Sequence, residues 1–308
     1  MYFPYLRGKQ NELLALRELL ENNLLSEKII PIIEPIKASP TLRILLTQFQ
    51  DQNRSIAVIQ NTELVNYQCF EDTDIAELKK QDFFIPAFLL DDRDEASIQA
   101  LNNSSNQYKM GIINSRSEFS NPMLLKQPNV FSLIEIDNRA AVRSLKGDAS
   151  RPIELHDQFT KLMRNSDYSR NEDELFSQEH LYYADDGYSG FSDFSVIGED
   201  YSESGFAPYA IAVHLVYFDR TNSLRVHHFV SNSNDDISDP AGKLHEALGK
   251  LISWVSDPRK FDAARNSSSA LDSLMNIFQN GSYPGLGVIK RLSIEHHLEI
   301  MGNFLDGR

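Results

Sequence analysis

Short apolar runs alternate with helical stretches along the first two thirds of the chain, and each apolar run ends in a polar residue. Runs of this length that are mostly apolar are typical of strands that are covered on both faces of a parallel sheet. We expect eight such strands, at residues 2–6, 29–34, 55–60, 83–90, 108–114, 130–136, 151–156 and 193–197. Eight strand–helix units predict an α/β fold of the closed (β/α)8 barrel type, in which functional sites gather at the carboxyl ends of the strands.

The pattern changes after the seventh strand. Residues 165–190 are polar and predict a long loop or lid with one helical stretch at 171–180, whereas 209–218 and 224–231 are β-rich and predict a hairpin. Asp239 and Pro240 are a typical helix start, and two further helices follow. We therefore expect a barrel body at 1–200, an inserted hairpin at 201–235 that exposes its strands to a partner, and closing helices packed on the barrel at 236–308.

Composition narrows the setting. The 308 residues include one cysteine, Cys69, so an internal disulfide is excluded and the residue is expected to be inert. No apolar run approaches the roughly 20 residues of a membrane-spanning helix, and the N-terminus lacks the layout of a secretory signal, which favours the cytoplasm. A net charge of −14 disfavours generic nucleic-acid binding and favours solubility and a basic protein partner. Self-association through the predicted hairpin is a separate expectation.

Charged side chains at the ends of four strands are the first candidates for chemistry. Arg7 and Lys9 could hold a phosphate or carboxylate, although a salt bridge from strand one to Glu34 on strand two is the simpler alternative. Glu34 and Glu135 lie at the ends of apolar strands, where an uncompensated carboxylate is costly, so they are stronger site candidates. Asp91, Asp92 and Asp137 fit helix capping as well as a site.

Amides and histidines complete the candidate set. Asn61 and Asn114 end two further strands and could bind a ligand at the same mouth. His156 and Asp157 end the seventh strand, and the adjacent His296 and His297 project too far apart to hold one ion easily. The histidine spacing of zinc proteases is absent, so we expect no metal and no cofactor.

The opening residues Tyr2, Pro4, Leu6 and Arg7-Gly8-Lys9-Gln10 resemble the start of the bacterial and phage beta family proteins. Residues 30–35, 191–208 and 293–298 are similar as well. The resemblance implies a setting in phages, mobile elements or defence neighbourhoods, and it implies no particular reaction. It directs attention to matching motif positions, which are Arg7, Lys9, Glu34, Asp193, Asp200, Arg291 and His297.

Two functions compete on these observations. The first is a defence or mobile-element component that binds a protein or phage-derived partner as a sensor or scaffold. The second is a hydrolase of a phosphate- or amide-containing substrate, with Glu34, Glu135 and Asp193 as candidate catalytic residues. Its candidate ligand-binding residues are Arg7, Lys9, Asn61, Asn114, Asp200, Arg291 and His297. We favour the first, because no complete catalytic set can be assembled from the sequence.

Overall fold

The computed structural model describes residues 1–37, 39–62, 64, 73–145, 149–201 and 208–308, and Cys69 lies outside them. The described chain forms two compact units. The first comprises Met1–Glu21, Glu27–Asp157 and Glu179–Phe194, and the second comprises Asn22–Ser26, Gln158–Gln178 and Ser195–Arg308. In the part of the chain that the structure describes, no helix combines the length and apolar character needed to cross a bilayer.

The first unit is a parallel barrel of eight strands, and the predicted (β/α)8 architecture is confirmed. The strands pair in chain order, and the last one returns to the first: Phe3 N–H donates to Phe191 O, and Tyr5 N–H donates to Asp193 O, both at 2.9 Å. The strands are β1 (Tyr5–Leu6), β2 (Ile32–Ile33), β3 (Ile56–Ile59), β4 (Phe84–Leu89), β5 (Lys109–Ile113), β6 (Val130–Glu135), β7 (Pro152–Leu155) and β9 (Gly190–Ser192), while β8 (Asp173–Ser177) belongs to the second unit.

Apolar residues occupy both faces of the barrel strands, as the continuous apolar runs predict. Every residue of β3 and of β4 is buried. Alternate side chains fill the interior, where Phe3, Ile32, Leu133 and Ile153 belong to one core cluster. Helices follow the strands in the same unit, namely α1 (Gln10–Glu21), α2 (Pro40–Asp51), α3 (Thr73–Leu78), α4 (Glu95–Asn103), α5 (Pro122–Leu125), α6 (Arg139–Leu145) and α7 (Glu179–Tyr182).

The eighth strand lies earlier than the sequence pattern places it. The predicted strand at 193–197 is wrong, because the chain leaves the sheet after Ser192 and forms a single 3-10 turn at Ser195–Ile197. Ser195 adopts a φ of +50°, which lies outside the extended region that a strand residue occupies. The apolar residues of the predicted strand are nevertheless buried, so their hydrophobicity records burial rather than strand structure.

The second unit is built on a three-stranded antiparallel sheet in the order β10, β11, β8. The predicted hairpin is confirmed as β10 (Ala212–Phe218) and β11 (Leu224–Val230). Its third strand, β8, occupies half of the stretch that we expected to be helical at 171–180. Pairing with β11 outweighs the local helical preference there, and a helix begins only at Glu179.

The hairpin strands do not form the exposed surface that we expected. Every residue of β10 and β11 is buried or half-buried. The helices α8 (Pro240–Val255) and α11 (Leu286–Asp306) pack against β11 and β10, and α10 (Ser269–Gln279) packs against both helices. The short α9 (Ala263–Asn266) lies between α8 and α10 in the chain. The hairpin is therefore the core of the second unit rather than an appendage of the barrel.

The start of α8 follows the predicted rule. Asp239 caps the helix by accepting a hydrogen bond from Gly242 N–H at 2.9 Å, and Pro240 takes the first helical position. Trp254 near the end of α8 packs between Tyr217, Phe229 and Phe261. These contacts join the helix to the sheet of its own unit.

The closing strand gives a stability prediction. A Cβ added at Gly190 would lie 2.6 Å from the Phe3 ring and 2.8 Å from the carbonyl oxygen of Met1. We expect Gly190→Ala to lower the free energy of unfolding by about 1–3 kcal/mol, because the added carbon overpacks the seam between β9 and the first strand.

Denaturant unfolding of the purified protein measures this effect. Ser189→Ala is the matched control, because Ser189 is the exposed neighbour of Gly190 and its change should fall within about 0.5 kcal/mol. Equal stability of the two variants would show that the seam can relax.

Candidate functional site

A buried ion pair joins the carboxyl ends of the first two strands. Arg7 follows β1 and Glu34 follows β2, and the Arg7 guanidinium donates directly to Oε2 of Glu34. The side chains are 10% and 3% exposed. The salt bridge that we named as the simpler alternative for Arg7 is therefore present.

Further contacts hold both members of this pair in place. Tyr5 donates its hydroxyl to Oε2 of Glu34 at 2.7 Å, and Thr62 donates its hydroxyl to Oε1 at 2.9 Å. The guanidinium carbon of Arg7 lies 5.0 Å from the ring centres of Tyr5 and of Phe194. The carboxylate thus receives hydrogen bonds on both oxygens, and the cation lies between two aromatic rings.

Such an arrangement binds the charges to each other rather than to a ligand. Two ions removed from water need good geometry and additional hydrogen bonds to offset their desolvation, and this pair has both. The charge of Arg7 is therefore already engaged by Glu34, which makes it a weaker candidate for holding a phosphate or carboxylate. The geometry of the pair is that of a structural clamp between β1 and β2.

Lys9 lies in the turn that starts the first helix. Its amide donates to Oε2 of Glu12 at 3.3 Å, and its carbonyl accepts from the amides of Glu12 and Leu13 at 3.0 Å. Glu12 is 1% exposed. The backbone of Lys9 thus serves the N-terminus of α1, in the manner of a capping box.

The two asparagine candidates bind main-chain groups of neighbouring segments. Asn61 donates to Leu89 O at 2.8 Å and accepts from Leu89 N–H at 2.9 Å, which extends the pairing of β3 with β4. Asn114 accepts from Arg116 N–H at 3.1 Å and from the Ser117 hydroxyl at 2.8 Å, as in an Asx turn. Both side chains shape the turns that leave their strands.

Glu135 at the end of β6 has the most unusual environment among the carboxylate candidates. It is 6% exposed and accepts a hydrogen bond from Ser115 N–H. Burial raises the pKa of Glu135, and the negative charges of Asp137 and Asp157 raise it further, while the Ser115 contact opposes the shift. A carboxyl with a raised pKa is suited to donate a proton at neutral pH.

His156 lies at the end of the adjacent strand β7. Its Nδ1 lies 3.5 Å from Oε1 of Glu179, and this contact raises the pKa of His156 against the opposing effect of burial. The charges of Asp137 and Asp157 act in the same direction as Glu179. The ends of β6 and β7 therefore carry an acid and a base that share two acidic neighbours.

The aspartate candidates Asp193, Asp91 and Asp92 of the first unit have local partners. Asp193 is 2% exposed and accepts a hydrogen bond from the Tyr2 hydroxyl at 2.8 Å, and burial together with this carboxylate raises the pKa of Tyr2. Asp91 binds the guanidinium of Arg93, and Asp92 accepts from Ser120 N–H at 3.0 Å. These contacts order the loops and the last strand.

Three candidates belong to the second unit. Asp200 is exposed, and its carbonyl accepts a hydrogen bond from Lys161 Nζ at 2.6 Å. Arg291 lies 3.3 Å from Glu295, one turn along α11. His297 is fully buried, with Nδ1 2.9 Å from the Ser195 hydroxyl.

The neighbouring histidine binds a partner through each of its two ring nitrogens. His296 Nε2 donates to Val216 O at 2.8 Å, and its Nδ1 accepts from the Ser268 hydroxyl at 2.7 Å. Burial lowers the pKa of His296 to about 4. Both members of the histidine pair are thus part of the packing of α11.

Sequence reasoning missed the groups that complete these arrangements. Tyr5 lies two residues before Arg7, so strand alternation could have placed both on one side. Thr62 lies in an irregular loop and gave no signal. Asn138 donates to Asn114 O and to Ser117 O, both at 2.8 Å, and thus ties the end of β5 to the turn after β6.

Neither metal chemistry nor similarity to known proteins narrows the function. Among the described residues, no group of three or more His, Cys, Asp or Glu side chains could hold a metal ion. No family model, curated protein or solved structure matches the chain. The geometry of the two units is therefore the basis for assigning a role.

The Arg7–Glu34 clamp gives a prediction about stability. Arg7→Ala and Glu34→Gln should each lower the free energy of unfolding by about 3–5 kcal/mol, because each leaves a buried charge without its partner. The double variant should lose less free energy of unfolding than the two single variants lose in total. Thermal and denaturant unfolding of all three variants measures the coupling.

A surface pair of the same chemistry is the control. Arg17 and Glu21 lie one turn apart on α1, 3.3 Å from each other, with the glutamate half exposed. Arg17→Ala should change the stability by less than about 0.5 kcal/mol. Additive losses in the Arg7 and Glu34 variants would contradict the structural role of the buried pair.

Glu135 gives a prediction about pH. Its pKa in the folded protein is raised above the ordinary value of 4.5. As the pH rises, the carboxyl therefore loses its proton at a lower pH in the unfolded chain than in the folded protein. Glu135 thus lowers the free energy of unfolding as the pH rises from the unfolded pKa through the folded pKa, and the loss is complete above both. Glu135→Gln mimics the protonated form and should raise the melting temperature at about pH 7, with no gain at about pH 4.

Differential scanning calorimetry at the two pH values tests the sign. Glu118→Gln, the same change at an exposed position, is the matched control and should leave the melting temperature nearly unchanged. A Glu135→Gln variant that is less stable than the parent at about pH 7 would show that the ionised carboxylate is favoured instead.

Proposed function

We propose that this protein acts by binding a protein or phage-derived partner, as a sensor or scaffold in a bacterial defence or mobile-element system. One observation carries the preference for binding over catalysis. The strongest candidates for a ligand-holding and catalytic pair, Arg7 and Glu34, are bonded to each other and to Tyr5 and Thr62. A side chain that clamps two strands is a poor choice for turnover, because chemistry would disrupt the clamp.

The other strand-end side chains support the same proposal. Asn61 and Asn114 bind main-chain groups, and Asp193 accepts from Tyr2. These side chains stabilise the scaffold. Since they bind groups within the protein, we propose that loops and surfaces bind the partner. The similarity of the first ten residues to the beta family proteins supports the defence or mobile-element setting.

The chemistry of the partner follows from charge. A net charge of −14 favours a partner with a basic surface, because complementary charge accelerates encounter and fixes orientation. Generic binding to nucleic acid is disfavoured by the same long-range repulsion. We therefore propose a protein partner, encoded nearby or delivered by a phage, and binding in solution rather than at a membrane.

A second function has its own supporting observation. Glu135 has a raised pKa and lies under the influence of Asp137 and Asp157, beside the strand that carries His156. A carboxyl group with a raised pKa near a histidine is an arrangement that general acid–base hydrolysis can use. The alternative is therefore a hydrolase of a phosphate- or amide-containing substrate that works through Glu135.

One variant separates the two functions. Glu135→Gln removes the proton-transfer group and keeps the shape of the side chain, so it should abolish hydrolysis and leave partner binding intact. We expect cells that carry the protein with its neighbouring genes to resist phage infection equally with the parent chain, with Glu135→Gln and with the exposed control Glu118→Gln. Plaque counts over a panel of phages measure resistance.

A biochemical assay completes the test. The purified protein should not hydrolyse chromogenic phosphate monoesters, phosphate diesters or anilides faster than Glu135→Gln does. Turnover that depends on Glu135, together with loss of resistance in that variant, would contradict the binding function and establish the hydrolase. Absence of resistance in cells with the parent chain would contradict the defence setting.

A further inference from the structure

The antiparallel sheet of the second unit has two edges, which are formed by β10 and β8. Side chains of the same unit occupy outward main-chain groups of β10. His296 Nε2 donates to Val216 O at 2.8 Å, while Asn266 accepts from Phe218 N–H at 2.7 Å and donates to Phe218 O at 3.0 Å. This part of the β10 edge is therefore already engaged within the protein.

The main-chain groups of β8 are arranged differently. His228 N–H donates to Glu172 O at 2.7 Å, so Glu172 bonds towards β11. Alternate residues of an antiparallel strand bond to the same neighbour, and Asp173 and Leu175 therefore direct their N–H and C=O groups away from the sheet. Across the described ranges of the chain, these outward groups have no hydrogen-bond partner.

The outward edge of β8 is accessible at its beginning. Leu175 is 52% exposed, Glu172 is exposed, and the two residues between them are half-buried. The register with β11 becomes irregular after Leu175, and Phe176 is buried. Unpaired main-chain groups beside an exposed apolar side chain are a template for an added strand. The accessible part of this template is residues 172–175.

Two carboxylates determine the charge of one face of this edge. Glu172 and Glu174 are two positions apart and therefore lie on the same face of the strand. Glu174 lies 3.4 Å from Nε2 of His228, but burial lowers the pKa of His228, so this neighbour is neutral at about pH 7. In the part of the chain that the structure describes, neither glutamate forms an ion pair with a lysine or arginine, although Lys250 and Lys260 line a cavity together with Glu172. This face is therefore suited to a basic side chain on an added strand.

The other face of the edge is compensated in charge and partly apolar. Asp173 accepts from Arg225 Nε at 2.6 Å and from the Tyr217 hydroxyl at 2.7 Å. Leu175 lies on the same face, two positions further along the strand. An apolar side chain of an added strand would therefore find a cross-strand neighbour in Leu175.

Charge also distinguishes between the possible occupants of this edge. A second copy of the chain would place its own glutamates opposite Glu172 and Glu174, and like charges on neighbouring strands are unfavourable. Charged side chains on an edge strand are a common protection against such self-pairing. A foreign segment with basic residues on one face and apolar residues on the other matches both faces. The net charge of −14 attracts such a segment over a longer range.

We propose that an extended, basic segment of a protein partner pairs with β8 as a fourth strand of this sheet. Its main chain bonds to the outward groups of Asp173 and Leu175, and its lysine or arginine side chains lie beside Glu172 and Glu174. This inference rests on the proposed function, because it names the surface that binds the protein partner. It does not depend on the barrel or on Glu135.

A synthetic peptide tests the chemistry on the full chain. Acetyl-Lys-Val-Lys-Val-Lys-Val-Lys-amide has basic residues on one face of an extended chain and apolar residues on the other. In fluorescence anisotropy titrations of the labelled peptide we expect saturable binding. Replacement of every lysine by glutamate should weaken it by more than about tenfold, because attraction to the two glutamates becomes repulsion.

N-methylation separates strand pairing from the attraction between charges. In an extended peptide the valine N–H groups point to one edge and the lysine N–H groups to the other. Whichever direction the peptide runs, one set faces β8 and the other faces solvent. We expect methylation of one set to weaken binding by about tenfold or more and methylation of the other set to have little effect. Equal effects of the two methylations would overturn the pairing of strands.

Variants of β8 connect binding to this edge. Leu175→Pro removes an outward N–H, and proline is tolerated on edge strands, so we expect about tenfold weaker binding. Leu175→Thr shortens the same side chain and keeps the N–H, and it should bind more tightly than Leu175→Pro. Glu172→Lys should weaken the peptide by about tenfold, whereas Glu118→Lys makes the same charge change at an exposed position of the first unit and should have little effect. If Leu175→Pro is unfolded by circular dichroism, the peptide series and the two lysine variants still decide.

The outcomes separate this inference from the proposed function. Absence of peptide binding, or equal effects of Glu172→Lys and Glu118→Lys, would overturn the β8 site. So would a dimer that Leu175→Pro dissociates, because the occupant would then be a second copy. Phage resistance that persists in a folded Leu175→Pro variant would overturn β8 as the partner's site and leave the binding function standing. Peptide binding by a chain that confers no resistance would support the β8 site and contradict only the defence setting.

Discussion

Burial of both faces of the barrel strands constrains the rest of the first unit. Segments such as Ile56–Ile59 and Phe84–Leu89 lie between an apolar interior and the helices, so no polar side chain is tolerated along them. Next to these two strands, polar side chains appear where the strand ends. There they are still poorly hydrated, and each must find a partner. Arg7 with Glu34, and Asn61 with the backbone of Leu89, are solutions to this same problem.

The same constraint explains why polar strand ends are an ambiguous sign of function. Position at the carboxyl end of a barrel strand is shared by residues that clamp the barrel and residues that act on a ligand. Hydrogen-bond partners distinguish the two. Glu34 receives bonds from Arg7, Tyr5 and Thr62, whereas Glu135 receives a main-chain bond and lies near two further acids. The side chains best suited to acid–base chemistry in the barrel therefore lie at the ends of β6 and β7.

Local patterns in the sequence were sufficient for most of the barrel and for only part of the second unit. Seven barrel strands, the hairpin and the cap of α8 are determined by neighbouring residues, and they were predicted. The strand Asp173–Ser177 exists because it pairs with residues about fifty positions later, which no local propensity encodes. The contact between Glu174 and His228 depends on this pairing, so no local spacing of residues reveals it.

Closure of the barrel joins distant parts of the chain. The Ser192 hydroxyl donates to Phe3 O at 2.6 Å across a separation of 189 residues, whereas Tyr5 reaches Glu34 across 29. During synthesis β1 can pair with β2 early, but its other edge stays open until residues 190–193 have left the ribosome. An open apolar edge can pair with other chains, and contacts of such high sequence separation form slowly. Folding of this protein on the ribosome therefore ends with a vulnerable interval, in which a chaperone that covers the first strand would have most to contribute.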